Sequence, residues 1–361
     1  MTKPSDAAPP EVAGEGPAAV RWERASCVVC GATTSRFFVT ARSLLYERAG
    51  AARIVRCTEC GHLYQDPRPT ADTIAACYTA DYGPHAESAA PQADITAEVA
   101  PASAQQPWYL SSLARRIPGL RASYYWLSDP HAAPVPQPPA PGAKALEFGC
   151  GSGRYLDQLQ AAGWQVEGIE PADEPARRCR ERGLAVTTGG IESAALQDRS
   201  YDLIVAWMVV EHLHDPAAVL RQIRTLLKPG GTFLFSIPNI ACWETAAFGQ
   251  YHYIFNEPTH LHHFSPRGIR RLLTQSGFEV RKLRFQHNLY NVVGSFGLWL
   301  RSRFPQHSLG ARCLDFCDEP TMAGRLALAP LAKLLAATHQ GGRLTILAQP
   351  SVDEPSTSHL R

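Results

Sequence analysis

The seven residues Glu147-Phe-Gly-Cys-Gly-Ser-Gly153 constrain this chain more than any other stretch. They follow a short apolar run, Ala145–Phe148, and lead into a segment, Gly153–Ala162, that puts Leu156, Leu159 and Ala162 on one helical face. Alternating glycines let a backbone turn tightly from strand to helix. They also let a ligand reach the main chain and the unpaired N–H groups of the helix start. A dinucleotide fingerprint would carry glycine at the sixth position from Gly149, where this chain has Arg154. Glu147, at the strand tip, would repel a pyrophosphate and suits a cationic, amine-bearing ligand. A nicotinamide oxidoreductase is therefore disfavoured. A second carboxylate, Glu170, closes the next apolar run, Val166–Glu170, where it can accept both hydroxyls of a ribose.

The pattern continues downstream. Strands are expected at Leu184–Thr187, Tyr201–Trp207, Thr232–Ile237, Phe278–Phe285 and Arg343–Gln349. Helices are expected at Glu174–Arg182, Pro216–Leu227 and Pro266–Gln275, with Lys228-Pro-Gly-Gly231 as a break. Such alternation predicts an α/β, Rossmann-like, mostly parallel sheet with helices on both faces. This unit spans residues 143–349, interrupted at about 288–338 by two apolar helical stretches near Val292–Leu300 and Leu326–Leu335. A cap packed on the sheet is the simpler reading of that insertion; a substrate lid or a lipid-facing surface is the alternative.

Upstream, residues 1–20 read as a disordered tail and 21–69 as a small module. Residues 70–142 read as a helical segment around Ile74, Cys77 and Tyr78, another at Trp108–Leu127, and Pro/Ala-rich linkers; 350–361 form a second tail. The small module carries Cys27-Val-Val-Cys30 and Cys57-Thr-Glu-Cys60, each followed by a glycine. Two such turns can bring four thiolates to tetrahedral geometry around a structural zinc ion, and a unit this small needs that stability. Four thiolates leave no open position for catalysis, and a redox dithiol is the weaker alternative.

The motifs then form a recognisable series: E-F-G-C-G-S-G, G-I-E-P at 168–171, Y-D-L-I-V-A-W-M-V-V-E-H-L-H-D-P at 201–216, and L-L-K-P-G-G-T-F-L-F-S-I-P-N at 226–239. Together they resemble a class I S-adenosylmethionine-dependent methyltransferase. The resemblance implies a seven-stranded sheet whose last strand is antiparallel and lies between the fifth and sixth. It implies that Glu147, Gly149, Gly151 and Gly153 line the methionine side, that Glu170 holds the ribose and that Gly190 and Ile191 flank the adenine, with Cys150, Ser152, Tyr155 and Pro171 as further cofactor-site candidates. Trp207 and Met208 would sit beside the methyl donor, and His212 would anchor the strand-four loop against the cofactor. Cys150 is read as packing, not as a nucleophile. The Cys27–Cys60 stretch resembles a zinc ribbon, a module found ahead of several bacterial methyltransferase domains and often followed by a motif like Cys60-Gly-His-Leu-Tyr-Gln-Asp-Pro-Arg-Pro69.

Methyl transfer needs alignment, and a base where the acceptor loses a proton. Two clusters fit: Glu211-His212-Leu213-His214-Asp215 after strand four, and Tyr251, His260 and His263 after strand five, with His260 preferred. His260 ahead of Phe264-Ser265 resembles the same loop of deoxysugar C-methyltransferases that also carry a zinc module, although Glu257-Pro-Thr259 departs from their pattern. A small-molecule acceptor is expected, by O-methylation of a sugar or secondary metabolite. The alternative is zinc-ribbon-guided methylation or binding of RNA or protein. A net charge of +2 supplies no global basic field, so no nucleic-acid partner is expected. No apolar run is long enough for a membrane span, and the N-terminus lacks a signal peptide, so a cytoplasmic location is expected. Oligomeric state is open.

Overall fold

The computed structural model describes residues 20–41, 52–78 and 133–351, apart from 193, 195, 256–257, 288 and 319. The expected tails, the Trp108–Leu127 helix and most of the linkers lie outside these residues.

The main sheet has seven strands: β6 (Lys144–Phe148), β7 (Gln165–Glu170), β8 (Val186–Thr188), β9 (Tyr201–Trp207), β10 (Leu227–Pro238), β12 (Phe278–Phe285) and β13 (Arg343–Pro350). Their spatial order is β12-β13-β10-β9-β6-β7-β8. All neighbours are parallel except β13, which runs antiparallel to both β10 and β12. The resemblance implied this arrangement. The strands are buried runs such as Leu203–Trp207, as a sheet covered on both faces requires.

The covering helices are α1 (Arg154–Ala161), α2 (Asp173–Glu181), α3 (Pro216–Leu226) and α5 (Pro266–Gln275), with the short α4 (Trp243–Phe248) between the last two in the chain. Asp215 and Ser265 cap α3 and α5, each accepting a backbone N–H and each followed by proline at the first helical position. Lys228–Gly231 proves not to be a break: β10 begins at Leu227 and absorbs the glycines as an irregularity before Thr232.

The insertion contains α6 (Tyr290–Arg303), α7 (Ser308–Asp318) and α8 (Met322–Ala337), one helix more than the hydropathy suggested. The middle helix escaped the hydropathy reading; of its residues only Gly310 and Cys317 are buried. It docks through glycines instead. A Cβ on Gly297 would lie 2.9 Å from the Cys313 Cβ and 3.0 Å from the Gly310 carbonyl oxygen. No helix among the described residues is long and apolar enough to cross a membrane.

The N-terminal module comprises β1 (Trp22–Glu23), β2 (Ser35–Ala41), β3 (Ala52–Cys57), β4 (Leu63–Gln65) and β5 (Arg68–Pro69). Its main sheet, in the order β11-β4-β3-β2, is completed by β11 (His262–His263) from the far end of the chain. The module also shares an apolar core with the catalytic sheet: Val29, Val55 and Tyr64 belong to the same buried cluster as Ile204, Phe235 and Phe264. It is thus fused to the main domain. Beyond it, the described part of the expected helical segment holds one 3-10 turn, Ile74–Cys77, preceded by the Thr70 and Thr73 hydroxyls, which bond each other at 2.7 Å. The proline-rich connector at residues 133–142 is held on α1. Its carbonyls lack a neighbouring ladder and accept from side chains instead: Tyr155 Oη donates to Pro134 at 2.6 Å and Trp164 Nε1 to Pro136 at 2.7 Å.

Candidate functional site

The glycine loop leaves β6 with Gly149, Gly151 and Gly153 at φ of 74°, 50° and 72°, a region that costs other residues about 1–2 kcal/mol each. Space reinforces the requirement. A Cβ on Gly149 would stand 2.7 Å from Cγ2 of Val209, and one on Gly153 would stand 2.8 Å from Cys179 Sγ. Glu147 is buried beside the loop. Glu170 is buried at the next tip, where its carboxylate accepts from the Gly151 N–H at 2.7 Å and the Ala172 N–H at 2.9 Å. Two buried carboxylates flanking a loop that excludes side chains fit an ammonium-bearing nucleoside. Cys150 is buried among Leu156, Cys179 and Val186 under the loop, and its thiol is pushed far up by the Cys179 side chain and by burial. It is no nucleophile there.

The remaining cofactor candidates are placed variously. Ser152 offers its carbonyl to Arg182, and Pro171 is exposed at the second tip. Gly190 follows the β7–β8 edge, and the Ile191 side chain is wholly in the core, its carbonyl accepting from Gln222. Tyr155 packs edge-on against Trp207 with ring centroids 5.0 Å apart. Met208, just past the β9 tip, has φ of 55°, a left-handed conformation that an unbranched side chain rarely adopts. Strain of this kind gathers at functional sites, and no sequence pattern announces it.

Past Met208 the chain makes a 3-10 turn, Val210–His212, and there the histidines converge. The rings of His212 and His260 meet edge-on with centroids 4.6 Å apart. Nδ1 of His260 lies 2.8 Å from the Ile254 carbonyl, and Nδ1 of His212 lies 2.9 Å from that of Thr259. A carbonyl only accepts, so each Nδ1 carries the proton and each Nε2 is the basic nitrogen. Glu211, also within 4.8 Å of both, is fully buried, and burial pushes its carboxyl up to about 8. The Tyr78 hydroxyl lies 3.2 Å from His212 Nδ1, a contact between residues 134 positions apart that sequence reasoning missed. Glu211 was legible as Glu-His directly after a strand, but its burial was not.

The other two base candidates lie elsewhere. Tyr251 turns to the cap, where its hydroxyl accepts from Ser302 at 3.0 Å and is lowered by that bond. His263 lies in β11, paired with Leu63 and edge-on to Phe255.

Two further groups gather potential metal ligands. The Sγ atoms of Cys27, Cys30, Cys57 and Cys60 lie within 4.8 Å of one another, with Cys27–Cys60 at 3.4 Å and Cys30–Cys57 at 3.5 Å. Tetrahedral zinc with bonds of about 2.3 Å sets sulfurs about 3.8 Å apart, so the set fits zinc. Gly31 and Gly61, both at φ of 76° with nothing near a built Cβ, are required by the turn alone. Cys242, Glu244 and His252 also converge in a buried group. There the Ile254 N–H donates to His252 Nδ1, so Nε2 carries the ring proton, 3.5 Å from Cys242 Sγ. That tautomer leaves no lone pair on Nε2 for a metal ion.

Residues 120–283 match the family model described as a methyltransferase domain. The chain is 35% identical over 109 residues to a ubiquinone biosynthesis O-methyltransferase of Albidiferax ferrireducens, covering 28% of this chain and 43% of that protein. It is 30% identical over 159 residues to the protein of the same name from Ralstonia nicotianae, covering 40% of this chain and 67% of that one. A solved S-adenosylmethionine dependent methyltransferase from Mesorhizobium loti is 17% identical with a TM-score of 0.40, over 65% of this chain and 97% of that one. The chain spans less than half the length of the first curated relatives it matches, 43% and 44%.

Proposed function

Because this chain belongs to the class I S-adenosylmethionine-dependent methyltransferases, we propose that it methylates a hydroxyl of a small molecule, a sugar or secondary metabolite, with His260 as base. The observation that carries this reading is the tautomer of His260. Its Nδ1 proton is committed to the Ile254 carbonyl, which leaves Nε2 as the proton acceptor, beside the loop that follows β9. When bound, S-adenosylmethionine would supply an electrophilic methyl group, which Glu147, Glu170 and the glycine loop would hold in place. The acceptor hydroxyl would give up its proton to His260 Nε2 as its oxygen takes the methyl group. His212 stacks edge-on and orients that ring. Glu147 and Glu170 would hold the amine and ribose ends, and the three glycines admit them. The names of the relatives, O-methyltransferases, support oxygen as the acceptor atom.

The zinc module acts at a distance in this reading. Its four thiolates would close the coordination sphere, and its β4 edge is occupied by β11. That occupied edge supports a structural role over recognition of a macromolecule.

The experiment uses S-adenosylmethionine labelled on its methyl group, incubated with the purified protein and a host-cell extract. Label in a small-molecule fraction, held as an ether that mild alkali does not cleave to methanol, supports the reading and identifies the acceptor. Label in RNA or protein overturns it.

A further inference from the structure

A groove of about 460 Å³ lies between the end of β12 and the last turns of α8. Arg284 and His287 line it from the sheet side, Lys333 and His339 from the helix side, and no carboxylate is among its described lining residues. Phe285 forms part of the wall, with the His339 ring stacked on it at 4.8 Å and 21°.

His339 is held there against its backbone preference. It takes φ of 62° just past the end of α8, a position where glycine is usual. Gly341 and Gly342 follow two residues later, so the turn puts an imidazole where a glycine would be easier. Complementing the helix dipole does not explain the set. The last carbonyls of α8 are already capped: Leu334 by the Thr338 N–H at 2.9 Å, Leu335 by the Gln340 N–H at 2.7 Å, and Ala336 by the His339 N–H at 3.1 Å. Arg284 and His287 come from outside the helix altogether.

The groove opens on the same edge of the sheet as the methyl-donor site. Phe285 is level with Leu344, Leu344 with Ile237, and the adjacent Ser236 with Trp207. Three strand spacings of about 4.8 Å separate Phe285 from Trp207, roughly 14 Å. We propose that this groove is an anion subsite that binds a phosphate or diphosphate group on the tail of the acceptor, with Arg284 and Lys333 as its principal cations. A guanidinium matches two phosphate oxygens at once, an ammonium adds a point charge, and imidazole N–H groups donate in either protonation state. The assignment of the tail to the methyl acceptor rests on the methyl-transfer reading; the anion site itself does not.

Pyrophosphate is the probe, titrated calorimetrically into the zinc-loaded full chain at 150 mM salt, with S-adenosylmethionine titrated in parallel. The wild type is expected to bind one pyrophosphate. The double variant Arg284→Gln, Lys333→Gln should bind it at least about tenfold more weakly, the loss of one charge-assisted contact or more, with unchanged cofactor affinity and melting temperature. No binding to the wild type, or equal binding to the variant, overturns the subsite. Retention on phosphatidylglycerol vesicles that the double variant loses would assign the groove to a lipid headgroup and overturn the acceptor tail. Failure of the cofactor to bind, with pyrophosphate binding intact, would instead strike the methyl-transfer reading alone.

Discussion

His262 pairs with Tyr64 across an antiparallel seam, so a strand two residues beyond the proposed base is hydrogen-bonded to the cysteine-rich module. The His262 ring reaches further, with Nε2 donating to the Leu213 carbonyl at 3.0 Å, and Arg68 donates to the carbonyl of His214 at 2.8 Å. The module thereby grips both loops that carry histidines. Zinc removal should therefore damage catalysis as well as the module. Chelation, or Cys57→Ser, is expected to lower turnover about a hundredfold, the scale of a 1 Å misplacement. Cofactor affinity should change less than about threefold, because the glycine loop lies on the other side of β9. Full turnover in zinc-free protein that is still folded would rule out this coupling.

The base assignment separates chemistry from binding. His260→Ala should reduce kcat by about 10²–10⁴, the usual contribution of a positioned base. The dissociation constant of S-adenosylmethionine should stay the same. A variant that turns over normally would remove the role.

The glycine loop makes a more local prediction. Gly149→Ala imposes a left-handed alanine, about 1–2 kcal/mol, and drives its methyl against Val209 Cγ2. Weaker cofactor binding and a lower Tm are expected. Val209→Ala in the same chain should restore part of the loss by removing the contact, while the backbone cost persists. A double-mutant cycle reads this directly; strictly additive effects would mean that the contact is not the cause.

The elements most legible in the sequence were those whose burial is periodic and whose ends are capped. Pro266–Gln275 and Tyr201–Trp207 have the expected bounds, because Ser265-Pro266 starts one and apolar burial on both faces runs through the other. The glycine loop and the cysteine pairs were legible because turn chemistry is local. Relationships set by tertiary contact were not. Nothing in the neighbourhood of Tyr78 points to His212, and nothing in His262-His263 distinguishes a two-residue strand on a distant sheet from a loop. Among the histidines after β10, sequence spacing alone did not separate His260, fixed by one backbone carbonyl, from His263, held in a strand.

Buried titratable groups predict how stability depends on pH. Burial pushes the carboxyls of Glu211 and Glu244 up to about 8, from an ordinary 4.5, and the imidazole of His252 down to about 3, from 6.5. Between pH 4.5 and 8 the folded chain keeps protons on the two glutamates that the unfolded chain has released. Their contribution is thus complete at low pH and drains away as pH rises towards 8. His252 acts oppositely: its contribution is complete above pH 6.5 and is lost as pH falls towards 3. Above pH 6.5 His252 no longer titrates, so the two glutamates lower stability, and with it Tm, from there to pH 8 by roughly 1 kcal/mol per pH unit for each group, offset in part by Cys179, whose thiol the Cys150 side chain lowers to about 7. Glu211→Gln keeps the shape and removes one titration. Its decline should be shallower than that of the wild type, and Glu211→Gln combined with Glu244→Gln should show no decline. Scanning calorimetry of zinc-loaded protein across this range decides the matter: a wild-type Tm that rises with pH, or a double variant as steep as the wild type, would show that these carboxyls are ionised in the folded chain.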